Sequence, residues 1–164
     1  MFETELTNRA AALLEKLRAA RLTLATAESC TGGLIAGLFT EVPGSSDVVE
    51  RGFVTYSNEA KIELLDVPKA TLDSVGAVSR ETALAMVAGA LAHSRASIAV
   101  AVTGVAGPGG GSADKPVGLV HIAIQRKAMP VRHRAMRYGD IGRSGVRMAT
   151  VRTALDMLAE EIER

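Results

Sequence analysis

The stretch Ser97–Val102 contains no charged residue and runs directly into Thr103-Gly104-Val105-Ala106-Gly107-Pro108-Gly109-Gly110-Gly111. A short, continuous apolar run reads as a strand covered on both faces, so helices must pack above and below it. The loop that follows holds four glycines beyond Gly104 and one proline, so its backbone can come close to a ligand. In open α/β sheets the binding crevice opens where strands end and loops lead away. Thr103, Gly104, Ala106, Gly107, Gly109 and Gly110 are therefore candidate ligand contacts. A flexible surface connection is the alternative, weakened by the loop's place after the most apolar strand.

The rest of the chain alternates helical and strand patterns. Leu6, Ala10, Leu13 and Leu17 form a helical stripe, and Leu22–Ala27 reads as a strand. A helix opens at Thr31-Gly32-Gly33 and runs to about Phe39, followed by a turn at Pro43-Gly44-Ser45-Ser46. Phe53–Tyr56 reads as a strand and Asn58–Leu65 as a short helix. Ser79 is the expected N-cap of a helix with Glu81 in its first turn, burying Leu84, Val87, Ala88 and Leu91. Val117–Gln125 and Val131–Arg137 read as two strands. A long final helix carries Val151, Leu155, Leu158 and Ile162 on one stripe. The whole is an α/β layered chain, expected to form one domain over residues 1–164; strand order and direction are not readable at this level.

Aromatic residues make up 3% of the chain against 48% hydrophobic, so the core must be built from Ala, Val, Leu and Ile. A formal charge of +1, with acids and bases interspersed, leaves no electrostatic footprint for a nucleic-acid partner. Cys30 is the single cysteine, which excludes a disulfide within the chain and fits a reducing compartment. No apolar run approaches the ~20 residues of a membrane span, and the N-terminus lacks a signal pattern. No membrane association is expected, and the cytoplasm is the expected location.

Two further stretches place chemistry-bearing residues at strand ends. Glu28-Ser29-Cys30-Thr31-Gly32 leads into a glycine-rich helix start, where free backbone N–H groups and the helix dipole suit a phosphate or oxyanion. Capping and close helix–sheet packing are the alternative. Tyr56 ends a strand and Lys61 lies one helical turn on, so both can face one crevice. A lysine of lowered pKa can deprotonate a serine, with a tyrosine relaying the proton. An exposed lysine and a tyrosine at the core edge are the alternative. His93, His121 and His133 are scattered with no metal-site spacing, and neither a metal nor a cofactor is expected. A Gly-x-Ser-x-Gly elbow and a lysine-bearing phosphate loop are also missing.

The segments at 27–33 (AESCTGG), 43–46 (PGSS), 51–61 (RGFVTYSNEAK), 76–79 (GAVS), 103–108 (TGVAGP) and 115–118 (KPVG) occur in this order. Together they resemble the CinA C-terminal domain family over nearly the whole chain. Stand-alone members of that family are nicotinamide-nucleotide amidohydrolases of the PncC type. The resemblance implies a three-layer α/β/α sandwich with a mostly parallel or mixed sheet. It also implies a homodimer or higher homo-oligomer, standing without the nucleotide-processing domain found in full-length relatives. The implied reaction converts nicotinamide mononucleotide to nicotinic acid mononucleotide and ammonia. By motif, the family's serine, tyrosine and lysine positions fall on Ser29, Ser46, Tyr56 and Lys61. Thr103 and the glycines after it match the ligand loop, and Arg143 matches a basic position near the nucleotide.

On that footing Lys61 is expected to act as base and then proton donor, with Tyr56 orienting or relaying and with burial or a neighbouring cation such as Arg143 favouring the neutral amine. Ser46 is expected to be the nucleophile and Ser29 an oxyanion or phosphate donor; the reverse assignment is the alternative. The rival functions are a nucleotide-binding module linked to competence or DNA damage, an amidase acting on another small amide, and a protein-interaction scaffold.

Overall fold

A computed structural model describes residues 2–164. The elements are α1 (Thr4–Ala19), β1 (Leu24–Glu28), α2 (Leu34–Thr40), a 3-10 turn (Ser45–Asp47), β2 (Val49–Val54), α3 (Asn58–Leu65), α4 (Lys69–Val75), α5 (Arg80–Ala92), β3 (Ile98–Gly104), β4 (Leu119–Arg126), β5 (Arg132–Arg137) and α6 (Arg143–Ile162). The five strands form one sheet in the order β2-β1-β3-β4-β5. β1 is parallel to both β2 and β3, whereas β4 is antiparallel to β3 and β5 antiparallel to β4. The sheet is mixed.

Strand alternation splits the core into two layers. On one face Ile98, Val100 and Val102 of β3 join Val120, Ile122 and Ile124 of β4 beneath α1, α2 and α6. On the other, Ala25, Ala27, Ala99, Ala101 and Ala123 meet Ala83, Met86, Val87 and Ala90 of α5. The alanine-lined face lets α5 lie close, which is how an aromatic-poor chain fills its core. The result is an α/β/α sandwich, as expected, and β3 is buried along its length up to Gly104. No helix among the described residues is long and apolar enough to cross a membrane.

Four local expectations are corrected. β2 begins at Val49 rather than Phe53 and ends at Val54; its early residues read poorly because it is an edge strand carrying Glu50, Arg51 and Gly52. Thr103 and Gly104 belong to β3, not to the loop, because they pair with His121 and Val120 of β4. α4 was not anticipated, being a seven-residue helix that buries only Leu72. Finally, Ala88 is exposed and Leu84 half-buried, while Thr82, Ala83, Met86, Gly89 and Ala90 are buried.

That last difference has a packing cause. α5 packs on the sheet with one face and against α3 with another, so its apolar residues encircle the helix and no single stripe marks the buried side. Gly89 sits at the α3 contact. A Cβ there would lie 2.0 Å from the Leu65 carbonyl oxygen, so only glycine permits the approach. Gly89→Ala should therefore destabilise the protein by about 1–3 kcal/mol or more through overpacking. Denaturant unfolding would read this as a lower midpoint at unchanged slope.

Candidate active site

The parallel strands β2, β1 and β3 end side by side, and the chain segments leaving them frame a cavity of about 290 Å³. Its wall includes Ser29 and Cys30 after β1, Tyr56 after β2, Lys61 of α3, Thr103 and Gly104 at the end of β3, Ala106, Gly107, Gly109 and Gly110 of the glycine loop, and Arg143 at the start of α6. Three regions distant in sequence therefore converge at one edge of the sheet.

Lys61 lies at the base of this cavity and is 1% exposed, which removes the alternative of an exposed lysine. Ser57 caps α3 by accepting from the Ala60 N–H at 3.0 Å, which fixes the first turn and carries Lys61 inward. The Nζ atom is 3.1 Å from Ser29 Oγ and donates to the Thr55 carbonyl at 2.8 Å. The carbonyls of Tyr56 and Ser57 lie at 3.4 Å. Among the described residues, no carboxylate pairs with the amine. Burial holds Lys61 below the ordinary lysine range, opposed by the nearby Cys30 sulfur. Arg143 is not the cause of that lowering; desolvation is. The Nζ atom donates to the Ser29 hydroxyl as well as to the carbonyls; once deprotonated, it can keep its hydrogens on carbonyls and turn its lone pair to the Ser29 hydroxyl proton.

Ser29 is 9% exposed, and its backbone N–H donates to the Val102 carbonyl at 3.0 Å, pinning it to the end of β3. Ser46 lies elsewhere. The turn that holds it precedes β2, at the edge where Leu24 pairs with Val49, whereas Ser29 follows the Glu28–Val54 pair at the opposite edge. The four residue steps of β1 between these edges span roughly 13 Å. Arg18 anchors the Ser46 turn to α1 through the Gly44 carbonyl and Asp47. Within one chain, then, Lys61 meets Ser29 and not Ser46.

Tyr56 is 60% exposed, and its hydroxyl accepts from Arg143 Nη2 at 2.8 Å rather than meeting the Lys61 amine. The same guanidinium donates to the Gly107 carbonyl through Nη1 at 2.9 Å. Arg143 thus ties the β2 side of the cavity mouth to the glycine loop. The backbone N–H groups of Ala106, Gly107, Gly109 and Gly110 donate to no backbone carbonyl and remain available to a ligand. Thr103 donates its hydroxyl to the Ala77 carbonyl at 2.8 Å, so its polar atom is occupied in shaping the wall.

Three residues expected at the ligand have other positions. Glu28 is fully buried, and its two carboxylate oxygens accept from the Ile35 and Ala36 N–H groups, both at 2.9 Å. It caps α2 from the preceding strand, which withdraws that helix start from use as an oxyanion or phosphate site. Thr31 is fully buried, and its carbonyl accepts from Arg147 Nη2 at 2.9 Å. Gly32 turns in the left-handed region beside Arg147. Cys30 does line the cavity, but burial pushes its thiol up to about 11, so it is not a thiolate at neutral pH.

Sequence reasoning passed over Ala77, Val78 and Val105, which complete the wall, and Arg147, which braces the Thr31 turn. The spacing of Arg143 and Arg147 was the available signal, since residues four apart share a helix face. Among the described residues, no three His, Cys, Asp or Glu side chains group so as to hold a metal ion.

The sequence profile of the family described as "CinA C-terminal domain" matches residues 6–162. The chain is 49% identical over 142 residues to a "putative competence-damage inducible protein" of Caldicellulosiruptor bescii, covering 87% of this chain and 34% of the relative. It is 45% identical over 161 residues to a protein of the same description from Clostridium botulinum, covering 98% and 38%. The chain thus spans about a third of the length of these curated relatives. Among solved structures it is similar to the competence/damage inducible protein CihA from Agrobacterium tumefaciens, at 56% identity and a TM-score of 0.96 over 100% of this chain and 99% of that one. A competence damage-inducible protein A from Klebsiella pneumoniae superposes with a TM-score of 0.92 at 34% identity, over 97% and 98%.

The Glu28 cap carries its own test. Glu28→Gln exchanges one buried acceptor for a second donor facing an N–H group. It should lower stability by about 3 kcal/mol, the scale for a buried hydrogen bond to a charged group, seen as a reduced unfolding midpoint.

Proposed function

This chain belongs to the CinA C-terminal domain family, and from that membership and the Ser29–Lys61 contact we propose that it hydrolyses the carboxamide of nicotinamide mononucleotide. The observation that carries the reading is a buried lysine amine 3.1 Å from a serine hydroxyl at the floor of a cavity, with no carboxylate among the described residues paired to the amine. Such a pair activates a hydroxyl without a metal or a histidine.

In this reading Ser29 Oγ attacks the carboxamide carbon and its proton passes to the neutral Lys61 amine. The tetrahedral oxyanion forms next to the free N–H groups of the loop. Lys61 returns the proton to the leaving nitrogen, ammonia departs, and an ester on Ser29 remains. Water then attacks the ester while Lys61 takes its proton, which releases the carboxylate and restores Ser29. Atoms and charge balance as amide plus water giving carboxylate plus ammonium, the carboxylic acid's proton ending on the released ammonia. Ser29 replaces Ser46 as nucleophile because only Ser29 reaches the base.

The cavity's 290 Å³ is at the small end of the ~300–1,000 Å³ range of ligand pockets. It suits the pyridine ring, with ribose and phosphate toward the mouth. There Gly109, Gly110 and Arg143 offer backbone donors and a guanidinium, groups suited to a phosphate. Tyr56, held by Arg143, presents an aromatic face at the same mouth.

Purified protein should release ammonia from nicotinamide mononucleotide and much less from free nicotinamide, which lacks the phosphate. No release from either compound would remove the reading in favour of a binding module. Lys61→Ala and Ser29→Ala should each lower kcat by about 10³-fold, the scale for losing a general base or the nucleophile it activates. The pH dependence follows from the lowered Lys61 pKa. Below its folded value the amine is an ammonium and cannot accept the Ser29 proton, so kcat/KM should climb with pH through a value below the ordinary 10.5. A rate independent of pH across the neutral and alkaline range would contradict this role for Lys61.

A further inference from the structure

A second cavity of about 470 Å³ lies on the α5 side of the sheet, separated from the first by the Gly76–Ser79 segment, whose Val78 lines both. α5 lies mainly over β3 and β4 on this face and reaches the edge strand β5 only in part. Ala135 of β5 is exposed there, and His133 and Arg137 sit on the same face. Arg80 at the start of α5, Lys115 of the loop and Arg137 of β5 all line the space, along with His121.

Several surface arginines outside this cavity are held in ion pairs. Arg9, Arg18, Arg51, Arg132, Arg134, Arg152 and Arg164 each pair with a carboxylate. Among the described residues, Arg80, Lys115 and Arg137 make no ion pair, although Glu81 and Asp114 line the same cavity. Lys115 instead donates its amine to the Val75 carbonyl. The first backbone N–H groups of α5, at Arg80 and Glu81, have no carbonyl within the helix to bond. His121 Nδ1 lies 3.0 Å from His133 Nε2 with the rings stacked, so His121, braced from behind by His133, adds a polarisable part of the wall. Val75, Val78 and Leu119 supply an apolar one.

We propose that this cavity is a second ligand site, for a phosphate monoester carrying an apolar or aromatic body. The phosphate would sit among Arg80, Arg137 and the start of α5, where charge-assisted and backbone donors converge. The organic body would lie on Val78, Leu119 and His121, with His133 sensing it through its contact with His121; the volume lies within the range of small-molecule sites and exceeds what a bare phosphate needs. The proposal is independent of the hydrolysis assigned to the first cavity.

The three histidines of the chain provide the test, with His93 as internal reference because it pairs with Asp66 at the end of α5. Imidazole NMR signals of the full chain are followed at constant pH and ionic strength during titration with phenyl phosphate and, separately, inorganic phosphate. His121 and His133 should shift saturably and His93 should not, with phenyl phosphate binding more tightly than inorganic phosphate. In Arg80→Ala/Arg137→Ala, both substitutions being at exposed positions, affinity should fall about tenfold or more, as loss of charge-assisted bonds implies. Arg143→Ala, in the first cavity, should leave the His121 and His133 shifts intact. The site is overturned if phenyl phosphate moves neither histidine or binds no better than inorganic phosphate. It is equally overturned if the double variant binds as the parent does, if Arg143→Ala alone abolishes the shifts, or if the signals follow protein concentration instead of ligand, which marks the face as a contact between copies.

Discussion

A lysine amine removed from water must find partners for its hydrogens, and the site is built around how Lys61 does so. Its nearest carbonyl, that of Thr55, lies where the chain leaves β2, and those of Tyr56 and Ser57 follow in the connection to α3. The fourth partner, Ser29, comes from the neighbouring strand. An acid in place of one carbonyl would favour the ammonium and silence the amine as a base; carbonyls and a hydroxyl do not impose that charge. The cost of burial is thereby turned into a lowered pKa.

The sheet makes this meeting possible. Parallel pairing of β2, β1 and β3 brings three strand ends to one edge, and Ser29 is locked to β3 through Val102. Glu28, one residue earlier, faces away from the cavity and caps α2. Two adjacent residues leaving β1 thus serve opposite purposes, one holding a helix on the far layer and the other facing the cavity. Strand alternation is sufficient to explain the division.

Much of this could be read in the residues. The apolar run of β3 announced a doubly covered strand, Ser79 was a readable cap and indeed accepts from the Thr82 N–H, and the glycine loop lies at the sheet edge where the first cavity opens. What failed depended on long-range geometry. Ser29 and Ser46 are both small hydroxyls beside glycines, and only the register of β1 against β2 separates them to opposite edges. The buried face of α5 was misread because Gly89 is enclosed by α3, a contact between segments about 24 positions apart that no local periodicity encodes. Glu28 read as a ligand contact because its true partners, the Ile35 and Ala36 N–H groups, become neighbours only once the Gly32–Gly33 turn folds back. The pairing of His121 with His133 was likewise invisible before the β4–β5 register was known.

The central claim is that Lys61 deprotonates Ser29, which then carries the acyl group. Acid-quenching the enzyme during turnover of nicotinamide mononucleotide, followed by peptide mass mapping, tests it directly. The account predicts a mass increase equal to the nicotinoyl ribotide acyl group, confined to the peptide containing Ser29 and lost in Ser29→Ala. An adduct on the peptide containing Ser46, or one that survives in Ser29→Ala, would contradict it.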